Sequence, residues 1–301
     1  MAEARPTANA AQAQRWNGAS GRYWIEHRER HLAEHQHLTP HLFRAAGISP
    51  GERVLDVGCG CGTTTVAAAR AALCPARGEL DAPLPRRSPD GVAVGLDLST
   101  PMLQVARDLA GQAGTANARF VQGDAQRCPV RPDACDVIIS NFGVMFFDDP
   151  RTAFASMAAV VRQDGRLAFL CWRDDTENEV FAIPLRAFAV HAQLPGPGAD
   201  DLFVDPGRIT DLLSGTGWQD IQIIPVTEQA WIGSDVDDVM SYVRGMPRIR
   251  DLTASIRDPA VTERMLAAIA EEYAARQNAD GIWVRAAAWL VTARRSLPVE
   301  G

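Results

Sequence analysis

The 301-residue chain has no C-x-x-C pair, no apolar run of membrane-spanning length and no excess of basic residues. Each absence removes a class of function. The six cysteines, Cys59, Cys61, Cys74, Cys128, Cys135 and Cys171, lack the spacing of a structural zinc site or a redox pair. They read as small reduced core or loop residues, and no metal is expected. Without about twenty consecutive apolar residues there is no candidate membrane span. The start, MAEARPTANAAQAQRWNG, has no basic stretch leading into an apolar core. It is not a secretory signal, and the expected compartment is the cytoplasm. Lys plus Arg number 30 against 37 Asp plus Glu, a net charge of -7. Domains that neutralise nucleic-acid phosphates usually carry a basic face, so nucleic acid is not an expected partner.

What is present is an alternation. Short apolar runs at Arg53–Val57, Val92–Asp97, Arg119–Gly123, Asp136–Asn141 and Arg166–Trp172 read as buried strands. Helical stretches separate them, at Thr63–Leu73, after the capping Ser99 with Pro101 in the first turn, and at Pro150–Val161. That pattern predicts an α/β fold with a doubly wound parallel sheet. Residues 1–15 are Ala/Gln-rich without periodicity and read as a disordered tail. Residues 16–46, polar and aromatic, read as an N-terminal helical cover, and 47–301 as the domain. Two inserts are expected within it, a proline-rich loop at 74–91 and a helical segment at about 227–280. The pattern loosens after Trp172, with a short helix at Ile209–Leu213, a sixth strand at Trp218–Val226 and a last strand at Ala286–Thr292.

The sharpest local signal is Val54-Leu55-Asp56-Val57-Gly58-Cys59-Gly60-Cys61-Gly62-Thr63, a strand ending near a carboxylate and leading through alternating glycines into a helix. Glycines let a ligand approach the backbone closely, and the helix start offers unpaired N–H groups. A dinucleotide fingerprint would need glycine where Thr63 stands. The spacing is D-x-G-x-G-x-G instead, and three landmarks follow in order. Asp97 ends the second strand, Asp124 follows the third in Gly123-Asp124-Ala125, and Asp136 to Asn141 forms the fourth before Gly165-Arg166-Leu167 opens the fifth. In this set, over about residues 51–174, the sequence resembles the class I S-adenosylmethionine-dependent methyltransferases. Trp16-Asn17-Gly18 and the Ala-Trp-Leu-Val-Thr-Ala-Arg stretch near the C-terminus resemble the small-molecule branch related to the quinone C-methyltransferases.

The resemblance implies a Rossmann-like, mostly parallel seven-stranded sheet and S-adenosyl-L-methionine as cofactor. It implies that Gly58, Gly60 and Gly62 hold the methionine part and that Asp56 reaches its ammonium, directly or through water. It implies further that Asp97 accepts from both ribose hydroxyls, and that Leu98 and Met102 pack on the adenine. Asp124 would accept from the adenine amino group, the Ala125 N–H would donate to the ring, and Asn141 and Phe142 would lie beside the transferable methyl.

Methyl transfer from a sulfonium is a displacement in which the protein mainly positions donor and acceptor. A base is needed only if the acceptor must lose a proton. Trp16, Tyr23, Trp24, Phe146 and Trp172 are the candidate pocket residues for a small-molecule acceptor. His27, His31 and His35 recur at intervals of four, on one helix face, and His37 and His41 form a further such pair. Three readings of that row stay open: a solvated polar face, a general base drawn from His27 or His31, or a metal site, for which no supporting ligand pattern exists. For the whole chain, methyl transfer to a small molecule leads. A catalytically silent cofactor-binding regulatory partner is the alternative, and a nicotinamide-dependent oxidoreductase is disfavoured by the glycine spacing.

Overall fold

The computed structural model describes residues 9–73, 91–192 and 202–296. Gly91 aside, the expected insert at 74–91 lies outside the described residues, as do 1–8 and the loop at 194–198. Five strands, β1 (Arg53–Val57), β2 (Val92–Asp97), β3 (Ala118–Gln122), β4 (Cys135–Asn141) and β5 (Val161–Trp172), lie parallel in the order β3-β2-β1-β4-β5. Two long strands extend the sheet, β6 (Trp218–Gly233) and β8 (Gly281–Arg295). β8 runs antiparallel between β5 and β6, and the two-residue β7 (Gln277–Asn278) folds back onto its start. The seven-strand path is the mostly parallel, doubly wound sheet that the resemblance implies.

Twelve α-helices occur among the described residues: α1 (Ala10–Asn17), α2 (Ala19–Glu26), α3 (Arg28–His35), α4 (Thr39–Ala46), α5 (Thr63–Ala71), α6 (Thr100–Gln112), α7 (Pro150–Val160), α8 (Glu179–Ala192), α9 (Pro206–Ser214), α10 (Val236–Gly245), α11 (Pro247–Ser255) and α12 (Pro259–Ala274). The central strands bury both faces. Val137, Ile139, Ala168 and Leu170 pack into one apolar layer, while Ile138, Leu167 and Phe169 pack into the other. Alternate side chains of a strand point to opposite faces, so a strand covered on both sides reads as one continuous apolar run. Helix α6 starts as its sequence implies: Ser99 Oγ accepts from the Met102 N–H at 3.4 Å, with Pro101 in the first turn.

Several boundaries differ from expectation. The tail expected over 1–15 is ordered from Asn9 onward and forms α1, because the Asn9 side-chain amide, buried, donates to Asp124 Oδ1 at 2.9 Å. Residues 16–46 form several short helices in place of one, and the last of them is not a cover. Leu38, Leu42 and Ala46 are fully buried in the core, and Arg166 of β5 donates to the Ala46 and Gly47 carbonyls at 2.5 and 2.6 Å and to Glu52 at 2.6 Å. Helix α4 therefore belongs to the domain body. Strand β6 continues to Gly233 because it stays paired with β8 as far as Ile282, so the helical insert begins at α10 and ends with α12. His37 and His41 face β6, where Nδ1 of His37 lies 2.8 Å from the Gln229 carbonyl and Nε2 of His41 lies 2.6 Å from Glu228 Oε1.

Because Leu42 has no solvent exposure, Leu42→Ala leaves a cavity between α4 and the sheet. Its expected cost is about 2–5 kcal/mol, read as a lower urea midpoint at unchanged slope. A variant within about 1 kcal/mol of the parent would mean that α4 is only peripheral after all.

Candidate functional site

The carboxyl ends of β1, β2 and β4 converge where the parallel sheet changes direction, the position at which doubly wound sheets form their crevice. The loop after β1 is held tightly there. Gly58 and Cys59 N–H groups donate to the Leu96 carbonyl at 2.8 and 3.2 Å, and Gly60 N–H donates to Asp97 Oδ2 at 2.8 Å. The other Asp97 oxygen accepts from Ser99 N–H at 2.8 Å. A Cβ on Gly58 would lie 2.8 Å from Gly143 Cα, so β1 and the turn after β4 touch backbone to backbone. Gly60 has φ +53°, a left-handed conformation that a β-branched residue adopts only under strain.

Around this loop lies a cavity of about 110 Å³. Its walls include Gly58, Gly60, Asp97, Leu98, Met102, Asp124, Ala125, Asn141 and Phe142 from the sequence-derived set. Gly62 lines an adjoining cleft of about 160 Å³, together with Gly58, Gly60, Met102 and Asn141. Asp56 lines neither. It is fully buried under the loop, where Oδ2 accepts from the Thr64 and Thr65 hydroxyls at 2.6 Å each, and Oδ1 has no partner. A direct reach to a ligand ammonium is therefore not what its side chain is built for; it ties β1 to the start of α5. Burial pushes its carboxyl up to about 6 and raises that of Asp97 as well. Burial likewise holds the loop thiols protonated, that of Cys61 being pushed up to about 11, so neither is a nucleophile at neutral pH. Sequence reasoning missed Asn9, whose amide occupies the Asp124 carboxylate from 115 residues away.

Phe142 has φ +62°, an uncommon conformation for a bulky residue and one that concentrates at sites. Its ring stacks on Trp172 at 4.1 Å and meets His35 at 4.7 Å. Asn141 Nδ2 donates to Thr39 Oγ1 at 3.3 Å, while its buried Oδ1 has no partner.

Beyond these residues opens a larger chamber of about 280 Å³. Trp16, Tyr23, Trp24, Phe146 and Trp172 all line it, joined by Phe181, Leu185, Met246 and Ile249. Among the described residues, Trp24 is the one side chain that lines the loop cavity, the cleft and the chamber together. The histidine row divides. His27 sits at the α2–α3 junction against Tyr23, ring centroids 4.4 Å apart, and lines none of the three spaces. His31 and His35 line both the chamber and the cleft and are buried, so the solvated-face reading fails for them. Burial lowers His35 to about 4, a neutral ring at physiological pH. His31 stacks on Trp24 at 3.8 Å and faces Glu34 and Tyr242. Glu34, on the same helix face, was open to detection from its i+3 spacing. Tyr242, 211 residues further on, left no sequence signal. Among the described residues, no three His, Cys, Asp or Glu side chains gather as a metal-binding group.

A methyltransferase-domain family model matches residues 48–192. The uncharacterized methyltransferase YcgJ of Bacillus subtilis is 30% identical over 125 residues, 42% of this chain and 42% of the relative. The ubiquinone/menaquinone biosynthesis C-methyltransferase UbiE of a Marinomonas species is 32% identical over 131 residues, 43% of this chain and 46% of the relative. The chain thus spans under half the length of these curated relatives. In fold, the crystal structure of the B. subtilis YcgJ protein superposes with a TM-score of 0.55 at 20% identity, covering 87% of this chain and all of the other. Loop and strand order agree with the methyltransferase-domain match, which spans residues 48–192, a little under half of the chain.

Proposed function

We propose that the whole chain binds S-adenosyl-L-methionine in the loop cavity and transfers its methyl group to a small molecule held in the adjoining chamber. The observation that carries this is the junction at Trp24, where the loop cavity, the cleft and the larger chamber meet on one aromatic ring. Spaces that share wall residues let a donor and an acceptor approach each other directly, as displacement requires. The bound cofactor would supply an electrophilic methyl on a sulfonium; the chain's own residues bind, orient and exclude water.

The residues present fit a cationic ligand rich in hydroxyl and amino groups. Asp97 offers a half-buried carboxylate with lone pairs beyond those taken by backbone N–H groups, a partner for vicinal hydroxyls. Asp124 accepts at the far end, where Asn9 now donates. Leu98 and Met102 give the apolar floor between them. Asp56 adds a buried carboxyl beneath the loop, and Asn141 a buried amide oxygen without a partner. Indole faces at Trp16 and Trp24 are attractive to a cation. The acceptor would lie among Trp16, Tyr23, Trp24, Phe146 and Trp172, away from bulk water. A catalytically silent binding partner would need the cofactor half alone; the aromatic chamber beside it favours turnover.

Two measurements test this reading. Asp97→Ala removes a charge-assisted acceptor, a loss on the order of 2–4 kcal/mol, or roughly 30- to 1000-fold in S-adenosylhomocysteine affinity by titration calorimetry. Less than about a threefold change in a folded variant would sink the assignment. The second concerns Asp56. A carboxyl raised from 3.8 to about 6 stabilises the fold fully below the lower value, and that stability is lost as pH rises through the upper one. The shift corresponds to something on the order of 3 kcal/mol. Asp56→Asn should therefore gain stability relative to the parent, by an amount on that order, between about pH 4 and pH 7. A difference that stays flat across urea titrations in that range would show that Asp56 is not buried as an anion.

A further inference from the structure

Helices α3 and α10 meet over a buried polar cluster that the methyl-transfer reading does not use. Tyr242 Oη donates to Glu34 Oε2 at 3.1 Å, and His31 Nδ1 lies 3.4 Å from the same oxygen and 3.3 Å from the tyrosine oxygen. Glu34 is 4% exposed. Burial opposes its ionisation, but the contacts with His31, His35 and Tyr242 prevail and hold its carboxyl below the usual range. The nearby cation Arg30 is engaged elsewhere: it binds Asp238 and the Ile232 carbonyl, with its guanidinium 4.8 Å above the Tyr242 ring. From α2, Tyr23 donates to the Tyr242 carbonyl at 3.1 Å.

A carboxylate that already accepts the tyrosine proton leaves one consistent role for His31 Nδ1, which is donor. In its neutral form the ring then carries its lone pair on Nε2. That atom is buried and has no partner. Trp24 covers one face of the ring at 3.8 Å. Among the described residues, two buried polar atoms of chamber-lining side chains lack partners: His31 Nε2, which accepts a proton, and Arg173 Nε, which donates one. Of the arginines at the rim, Arg173 binds Glu177, Arg248 binds Asp175 at 2.6 Å, and Arg15 lies over the Trp16 and Phe146 rings at 5.6 and 5.8 Å. Walls of tryptophan and phenylalanine suit a flat, neutral ring. The complement of such a chamber is an aromatic molecule with one hydroxyl to donate and a second oxygen to accept.

Resting on the methyl-transfer reading above, we infer that His31 is the general base for a hydroxylated aromatic acceptor, with Glu34 and Tyr242 as the residues that fix its tautomer. The acceptor's O–H bond breaks to His31 Nε2 as its oxygen bonds to the methyl carbon, and the electron pair of the C–S bond stays with sulfur. The proton then leaves Nε2 for water. Titratable neighbours that face His31 are Glu34 and His35 on its own helix, Tyr23 on α2 and Tyr242 on α10.

The test uses the full chain with S-adenosylhomocysteine bound and para-nitrophenol as probe, since its phenolate absorbs visible light and its nitro group supplies the second oxygen. The parent should bind the probe as phenolate at a pH where the free probe is protonated. His31→Gln should bind it without the visible band. Glu34→Gln should weaken the band, because a neutral amide no longer stabilises the imidazolium that forms when the ring takes the proton. With cofactor and a panel of hydroxyaromatic compounds, the parent should form methyl ethers. His31→Gln should lower kcat by roughly 10²- to 10⁴-fold with KM changed far less. A probe bound in protonated form by the parent, or a band unaltered by both substitutions, overturns the base. Failure of the probe to bind overturns the acceptor class, and both results are distinct from loss of S-adenosylhomocysteine binding, which would overturn the methyl-transfer reading itself. If His31→Gln does not fold, the Glu34→Gln band decides.

Discussion

Burying a carboxylate costs free energy unless hydrogen bonds or a cation offset the lost water, and the site is arranged around one fully buried and one half-buried carboxyl. Asp56 lies beneath the glycine loop and Asp97 at its edge. Their hydrogen bonds shape what surrounds them. The Thr64 and Thr65 hydroxyls come to Asp56, which sets where α5 begins. The Gly60 and Ser99 amides come to Asp97, which pins the loop to the end of β2 and places the cap of α6. Compensation stops short of completion, since Asp56 Oδ1 has no partner. The glycines of the loop keep the crevice beside Asp97 free of side chains that would stand in the way.

That half of the molecule was legible in the sequence for a physical reason. Each parallel strand from β1 to β5 has a core on both sides, so it reads as an apolar run, and the residues at its carboxyl end face the crevice. Motif and site therefore sit next to one another in the chain. Strand β6 is different. Exposed residues such as Gln219 and Asp220 recur along it, so the length it gains from pairing with β8 does not register as hydrophobicity. Helix α8 was missed because Pro184 stands inside an apolar stretch that still packs as helix. The Asn9–Asp124 and His31–Glu34–Tyr242 contacts join segments 115 and more than 200 residues apart, and no local period encodes them.

The division between these halves follows the division of chemical labour. The match to known methyltransferases runs over residues 48–192, and that span supplies the loop, Asp97 and Asp124. The chamber draws many of its walls from outside it: Trp16, Tyr23, Trp24, His31 and Glu34 on one side, Tyr242, Met246 and Ile249 on the other. A family that shares a cofactor and varies its acceptor would be expected to keep the first set and replace the second.

The two outer segments do not act independently. The N-terminal helices are fastened to the end of β2 where Ser99 Oγ donates to the Trp16 carbonyl at 2.8 Å and Asn17 bridges the Leu98 carbonyl and the Thr100 N–H, each at 3.0 Å. At their other end Arg30 joins them to Asp238 at the start of α10 and to the Ile232 carbonyl of β6. Between these fastenings α2 and α3 carry Trp24 and His31, stacked on each other. Ser99 is also the residue whose amide holds Asp97, so the carboxylate at the glycine loop and the segment that carries Trp24 and His31 are fastened at one residue. The glycine-loop side of the sheet and the Trp24–His31 stack are thus held by the same packed pieces.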